Sequence, residues 1–585
     1  MSLIVPALDP GVSATPVAED LTIVIGDDGV RALPGRLFPL ILRLVDGRRS
    51  VLEIADALED KATIVDVAVG VSELIDECVL LDAARPARDP TVVRAANAAP
   101  ARSPGPDARA SIVALDGVDR ETADVFSAEL HRDGVEVLDS GAPGALPIVL
   151  TDSYAAPALD AFNRESLRTA SRWLLVRPLG AVPWVGPLFN GAIGSPCWQC
   201  LAARLTEGCP VSAYVARHYP GASLRRYRPP GIAGAIAEAA RVAAAALMEA
   251  GGSEILRAVD TRTGSVVSHR VVKRSDCPAC GGGGPSLPAS FARHISPITG
   301  IVHRLSSWSH ADFPAHVAVA DHLFGPEIEL ADSISRGCCR RSAGGGASAS
   351  EARVAALGEA LERYSGVYRN ADAGRRSTYA ALGPAAIHPN EIMGFSAAQL
   401  RDRDRWNAVH ASRYTRVAEL FDEGDEYAWT PLGRLERAGP AATADDEAVR
   451  WLPTACCYFG VVPERERAAC FGGSNGCAAG KTLDDAIVRG FLELVERDAV
   501  GIWWHNRLDR PGVELATVPD CFVRSVAGSY ARANRTLGVL DIATDLGIPS
   551  FAAVSRDAAT GDRLTLGFGA HFDPLRALRH ALREI

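Results

Sequence analysis

The sequence predicts a multidomain α/β protein. Its parts are a winged-helix-like module at the N-terminus, a Rossmann-type α/β domain with a four-cysteine zinc site, and a C-terminal α+β domain. Three observations carry this prediction. At 585 residues the chain exceeds what one core organises, and usual domain sizes point to about three or four domains. Strand and helix patterns alternate through its middle, as they do where helices cover a sheet. One acidic helix pattern is also written twice in the second half.

Composition narrows the functional classes. The chain is 48% hydrophobic and 23% charged with a net charge of -10, a globular balance without the basic excess of a nucleic-acid binder. No basic segment followed by an apolar run opens the chain. The Ala-rich stretch from Ile232 to Ala250 is interrupted by Glu238, Arg241 and Glu249, which predicts a soluble helix. A cytoplasmic protein without membrane or nucleic-acid partners is expected. The 13 cysteines, an odd number without a secretion signal, favour metal ligation and buried thiols over a disulfide framework.

Residues 1–16, rich in Pro, Ala and Gly, read as a disordered lead, and the first module is expected over 17–85. There Leu21–Ile25 reads as a strand, Asp27-Asp28-Gly29 as a turn and Val30–Leu33 as the return strand. Helical periods follow at 37–45, 51–58 and 64–78, with Gly47 ending the first and Ser50 preceding the second. A hairpin with three helices is winged-helix-like. Glu53, Asp56, Glu59 and Asp60 stand where a DNA-recognition helix needs Arg and Lys, whereas an open strand edge suits addition of an extended peptide.

Pro86, Pro90, Pro100, Pro104 and Pro106 mark a linker over 86–108, and a second domain is expected over 109–288. Its predicted elements are strands at Ser111–Leu115, Val135–Leu138, Pro147–Thr151 and Trp173–Val176, with a helix at Glu121–His131. The turn Leu115-Asp116-Gly117-Val118-Asp119 lacks the Gly-rich fingerprint of a nucleotide fold. Two CxxC pairs, Cys197 with Cys200 and Cys277 with Cys280, supply the four thiolates of a closed structural zinc site, although about 80 residues separate them. The remaining cysteines have no ligand spacing and read as core or incidental thiols.

A Gly/Pro/Ser linker at 281–288 leads to the third domain, 289–585, which carries the repeated pattern. Glu351, Glu359, Glu362 and Arg363 recur as Asp485, Glu493, Glu496 and Arg497, 134 residues later. At about 100° per residue, offsets of eight and eleven stay within roughly 80° of the first acid, so each copy sets three carboxylates on one helix face. Ser348 and Thr482 signal helix starts of capping-box type. The opposite faces carry Val354, Leu357 and Leu361 in one copy and Val488, Phe491 and Val495 in the other. Glycine-rich loops, Ser342 to Gly346 and Gly472 to Gly476 with Asn475, precede the two helices and suit close approach of phosphates to backbone N–H groups. Paired acidic helices behind such loops point to an Mg-nucleotide site without a Walker motif.

These residues resemble a known family, the fused ATP-dependent cyclodehydratases that form azolines in ribosomally made peptides and whose catalytic part is the YcaO domain. Ser342 through Gly366 is similar to the first YcaO motif, and Ser474-Asn475-Gly476 through Ala499 to the second. Gly186-Pro187-Leu188-Phe189 followed by Cys197 and Cys200 is similar to the family's E1-like scaffold, and the N-terminal module to its leader-peptide recognition element. The resemblance implies ATP, Mg2+ and structural Zn2+ as cofactors. Glu359, Glu362, Glu493 and Glu496 would hold magnesium, and Asp485, Ser342, Gly346 and Asn475 would stand in the nucleotide site. It implies a precursor peptide bound through its leader, an azoline dehydrogenase as a further partner, and a homodimer. The chain departs from the family at Gly345, commonly Lys, and at Lys481, often Asn. It stops at Ile585 in a helix beginning near Asp573-Pro574, on which Glu584 is a further acid, so a C-terminally incomplete YcaO domain is expected. A thioamide-forming enzyme and a non-catalytic leader-binding scaffold remain alternative readings.

Overall fold

The structure, a computed structural model, describes residues 4–9, 12–26, 29–76, 79–83, 108–115, 117–180, 182–192, 194–208, 211, 232–248, 254–261, 264–274, 277–281, 291–309, 313–323, 340–368, 374–410, 415–433, 449–459 and 464–585. These fall into two compact units, the first within 1–300 and the second within 301–327 and 340–585. The linker expected over 86–108 lies outside the described residues except at its last position, as do Cys209, Cys338 and Cys339. No described helix is long and apolar enough to cross a membrane.

The first unit begins with strands β1 (Pro6–Leu8), β2 (Val12–Ala18), β3 (Leu21–Gly26) and β4 (Gly29–Pro34). Helices α1 (Leu37–Leu44), α2 (Val51–Asp56) and α3 (Ile64–Asp76) and strand β5 (Leu80–Asp82) follow. β2, β3 and β4 form an antiparallel sheet, and β1 pairs with β5. The expected disordered lead is therefore corrected. Pairing overrides the Pro/Ala composition because Val12 is buried among Val24, Ile41, Ile54, Val71 and Leu74. Pro16, which has no N–H to give, stands where the β2–β3 register shifts. Ser50 starts α2 through a full capping box, donating and accepting with Glu53.

A seven-stranded sheet follows, built from β6 (Arg109–Ala114), β7 (Glu136–Leu138), β8 (Leu146–Leu150), β9 (Trp173–Arg177), β10 (Trp184–Phe189), β11 (Ile255–Asp260) and β12 (Ser265–Arg270). Its order is β12-β11-β10-β9-β8-β6-β7, parallel from β9 to β7 and antiparallel beyond. Both faces are covered. Ile148, Leu150, Leu174 and Val176 pack under α4 (Arg120–Arg132) and α7 (Ile232–Leu247), the Ala-rich helix. Val149, Trp173 and Leu175 face α5 (Leu159–Thr169) and α6 (Trp198–Glu207). The period-2 alternation of a strand thus serves two cores, which is why β9 reads as an unbroken apolar run up to Arg177.

Among its described residues the second unit contains three antiparallel sheets of three strands each: β13 (Val302–Ser309), β14 (His316–His322) and β15 (Arg340–Gly346); β16 (Arg375–Ser377), β17 (Tyr427–Leu432) and β18 (Arg450–Pro453); and β19 (Arg535–Asp541), β20 (Ser550–Asp557) and β21 (Thr565–Ala570). Its principal helices are α8 (Ala349–Ser365), α9 (Leu483–Asn506), α10 (Cys521–Arg532) and α11 (Pro574–Glu584). The expected first glycine loop is a strand, β15, paired along its length with β14. Its glycines let the backbone of α8 lie against it. A Cβ on Gly344 would sit 2.1 Å from the Ala356 nitrogen, and one on Gly346 would sit 2.4 Å from the Ala352 nitrogen. The same packing recurs where Gly567 and Gly569 of β21 meet Ala581 and Ala577 of α11. The expected apolar faces are corrected in part. Leu357 and Val495 are buried as expected, but Val354, Val488 and Phe491 are exposed, and Ala352, Ala356 and Ala360 are the further buried residues of α8.

Candidate functional site

The two acidic helices begin alike. Ser348 accepts the Glu351 N–H at 3.2 Å, and Thr482 accepts the Asp485 N–H at 3.1 Å. Only half of the expected capping box forms. Each N3 acid reaches one residue further back, Glu351 to the Ala347 N–H at 2.9 Å and Asp485 to the Lys481 N–H at 3.0 Å. The close-packed glycine of the second copy is Gly480, whose Cβ would lie 2.4 Å from the Ala486 nitrogen, matching Gly346.

The acids eight and eleven residues on do something different. Arg363 holds Glu359 at 2.6 Å and approaches Glu362 at 3.9 Å, while Arg497 stands 3.6 Å from both Glu493 and Glu496. Burial, then the charges of Glu359 and Glu493, push Glu362 up to about 8 against the pull of Arg363. Burial and the Glu584 carboxylate push Glu496, 4% exposed, up to about 7. Burial likewise raises Glu493, opposed by Arg497 and by the Gly476 N–H, which donates to it at 3.2 Å. Asp485 behaves oppositely, since the Lys481 N–H and then Arg489, at 3.0 Å, hold its carboxyl low.

A third helix completes the locus. His580 of α11 lies 3.9 Å from Glu496 and 3.5 Å from Glu584, and the Phe568 N–H fixes Glu584 at 3.2 Å. Five carboxylates from three helices therefore repel one another in a partly buried space, an electrostatic deficit that a divalent cation relieves. An all-oxygen donor set suits Mg2+. Asn475 is exposed on the loop before α9, Gly346 ends β15, and Ser342 lies buried within β15. The sequence pattern alone did not find His580 or Cys477, whose thiol is raised by burial and then by Glu362 and Glu493. Their signals were proximity to Glu584 at i−4 and to Gly476, neither of which is distinctive.

In the first unit the four cysteines converge. Cys197 precedes α6, Cys200 lies in its first turn, and both sulfurs sit 3.6 Å from a partner in the second pair, Cys277 and Cys280 respectively. Among the described residues this is the one group of three or more His, Cys, Asp or Glu whose ligand atoms all lie within 4.8 Å of one another; the glutamates are set wider. A tetrahedral zinc at about 2.3 Å from each sulfur needs sulfurs about 3.8 Å apart, so the donor set fits Zn2+. Mutual hydrogen bonds among the thiols drive Cys277 down and Cys197 up. The Arg274 N–H points at the Cys200 sulfur at 3.5 Å.

Residues 343–585 match the family described as YcaO cyclodehydratase, ATP- and Mg2+-binding. They are a YcaO domain. Over 99% of its length the chain also superposes on two solved heterocyclases. One, in complex with substrate and cofactor, is 28% identical with a TM-score of 0.69, and the other, the heterocyclase TruD, is 27% identical with a TM-score of 0.61. The chain covers 82% of each. It thus shares the fold of these solved heterocyclases over nearly its whole length. An uncharacterised protein of Methanothermobacter thermautotrophicus is 26% identical over 246 residues, 42% of this chain and 55% of that one, so the chain spans about half the length of this relative.

Proposed function

We propose that the chain is an ATP-dependent peptide cyclodehydratase that converts Cys, Ser or Thr in a ribosomally made precursor to thiazoline or oxazoline. The observation that carries this reading is the set of five mutually repelling carboxylates on α8, α9 and α11 within a YcaO domain. Glu359, Glu362, Glu493 and Glu496 would hold Mg2+, with Glu584 beside them; when bound, the ion offsets charge on a transferring phosphoryl group. Arg363 and Arg497 keep these carboxylates oriented. In the reaction the substrate side chain attacks the preceding amide carbonyl, and the oxyanion takes the γ-phosphoryl of ATP. That attack closes the five-membered ring; departure of the phosphorylated oxygen as phosphate, with loss of the amide N–H proton, then forms the C=N bond of the azoline, for a net removal of one water. The module before residue 86 receives the leader peptide by strand addition, and the four cysteines hold a structural Zn2+. An azoline dehydrogenase would act on the product.

Incubation with precursor peptide, ATP and Mg2+, read by mass spectrometry, tests this. Loss of one water per modified residue is expected. Exchange of oxygen for sulfur in the presence of sulfide would favour thioamide formation, and leader binding without mass change would leave a scaffold. Glu359→Gln and Glu496→Gln are expected to abolish ATP turnover while leader binding persists.

A further inference from the structure

Under α8 lies a polar pair that the proposed chemistry does not use. His322 of β14 and Ser342 of β15 are diagonal neighbours across the strand pair, since Ala320 stands opposite Ser342 and His322 opposite Arg340. They share the face on which Gly344 and Gly346 meet α8. Both are buried, His322 at 1% and Ser342 at 6% exposure. The His322 Nδ1 is 2.7 Å from the Leu323 carbonyl oxygen, and its Nε2 is 3.0 Å from the Ser342 hydroxyl.

The first contact decides the second. A carbonyl oxygen can only accept, so Nδ1 carries the proton. Burial disfavours the charged ring, and Arg340 and Arg363 oppose it further, outweighing the Leu323 carbonyl and Glu359, which favour it. Nε2 therefore offers a lone pair, and the Ser342 hydroxyl donates its proton to it.

We infer that His322 is a positioning residue of the nucleotide site: its Nε2 accepts the hydrogen bond that the Ser342 hydroxyl donates, so that Ser342 meets its ligand as a hydrogen-bond acceptor only. A phosphate oxygen is not a partner for a hydroxyl so committed. The complementary group is a donor of the Mg-ATP complex, namely a ribose hydroxyl, the adenine amino group or a metal-bound water. The inference rests on the reading that Ser342 belongs to the ATP site. It adds a residue to that site and fixes the sense of one hydrogen bond.

Direct binding of a fluorescent ATP analogue with Mg2+, together with kcat and KM for ATP, tests it on wild type, His322→Leu, His322→Gln, Ser342→Ala and the double variant His322→Leu/Ser342→Ala. The two deletions, His322→Leu and Ser342→Ala, should each raise KM by about tenfold with kcat little changed, the size of one lost buried hydrogen bond. The double variant should be no worse than either single one, because His322 acts only through Ser342. Gln, which places an acceptor oxygen near the Nε2 position, should restore most of the affinity. Additive losses, failure of Gln to rescue, or a fall in melting temperature with KM unmoved would overturn the inference. If His322→Leu does not fold, Ser342→Ala still decides, since unchanged affinity in that variant rejects it. Wild-type protein that binds no Mg-ATP would overturn the functional reading as well, whereas wild-type binding with unaffected variants rejects this inference alone.

Discussion

Gly490 and Gly476 touch through their backbones: a Cβ on Gly490 would lie 2.4 Å from the Gly476 carbonyl oxygen. The same Gly476 donates its N–H to Glu493 one turn further along α9, at 3.2 Å. Gly476 itself sits at φ 82°, a left-handed conformation that glycine adopts without cost. The loop before α9 is therefore clasped to the helix at two points, and its placement determines where one cluster glutamate is held.

Gly490→Ala should open this clasp. Forcing a methyl against a carbonyl costs about 1–3 kcal/mol and displaces the loop from Glu493. The expected outcome is a melting temperature lower by several degrees and Mg-ATP affinity lower by about tenfold. Thermal shift and nucleotide titration would check both. Gly501→Ala, in the same helix with open space around its Cβ position, is the control. It should be neutral or stabilise by up to about 1 kcal/mol.

Where the sequence was legible, the physics was local. The spacing of Glu359, Glu362, Glu493 and Glu496 follows from helix periodicity, and Ser348 and Thr482 cap where their residue type says they should. The CxxC pairs were legible because two thiols three residues apart on a turn have few other uses. Non-local pairing defeated the reading elsewhere. Nothing in Pro6–Leu8 announces a partner at Leu80–Asp82. The Gly344–Gly346 run looks like a loop until the alanines of α8 are seen to need a flat strand to lie on. Glu584 stood out as a further acid on the last helix, but its nearness to Glu496 comes from tertiary packing, at a distance in sequence that no periodicity spans.

The cysteine cluster predicts a dependence on zinc. Purified protein should contain about one zinc per chain, and Cys277→Ser should lose it and lower the melting temperature by several degrees or more. Metal analysis and calorimetry with and without a chelator check this. Nucleotide affinity should change little, because none of the four cysteines lies in the unit that carries the glutamates. A zinc-free protein of undiminished stability would remove the assignment.

His294 predicts an acid-sensitive first unit. Burial, with Arg204 and Arg293 adding their charge, holds its imidazole down at about 4. The unfolded chain protonates this group through about 6.5, so between those values it binds more protons than the folded one, and stability falls as the pH falls. Allowing for residual exposure, the loss is on the order of 1 kcal/mol by pH 4. His294→Gln cannot titrate. Melting temperatures of wild type and variant should therefore converge as the pH drops from 7 to 5, and parallel curves would show that His294 does not contribute.

The two kinds of acid in the doubled motif should separate on mutation. Asp485 is spent on the Lys481 N–H and on Arg489, outside the set of repelling carboxylates, whereas Glu496 is buried among them. Asp485→Asn keeps an acceptor for Lys481 and weakens the ion pair, a loss of about 1 kcal/mol or less at a half-exposed helix start. Its expected result is a KM for ATP raised by less than about fivefold, with turnover retained. Glu496→Gln removes a charge that a cation requires and should eliminate turnover. The distinguishing measurement is the Mg2+ concentration giving half-maximal rate at saturating ATP, which Asp485→Asn should leave nearly unchanged. If it rises by as much as tenfold, Asp485 is a metal ligand in its own right. The three-acid face of the helix would then act as one unit, and the capping interactions that divide it would not be what sets its role.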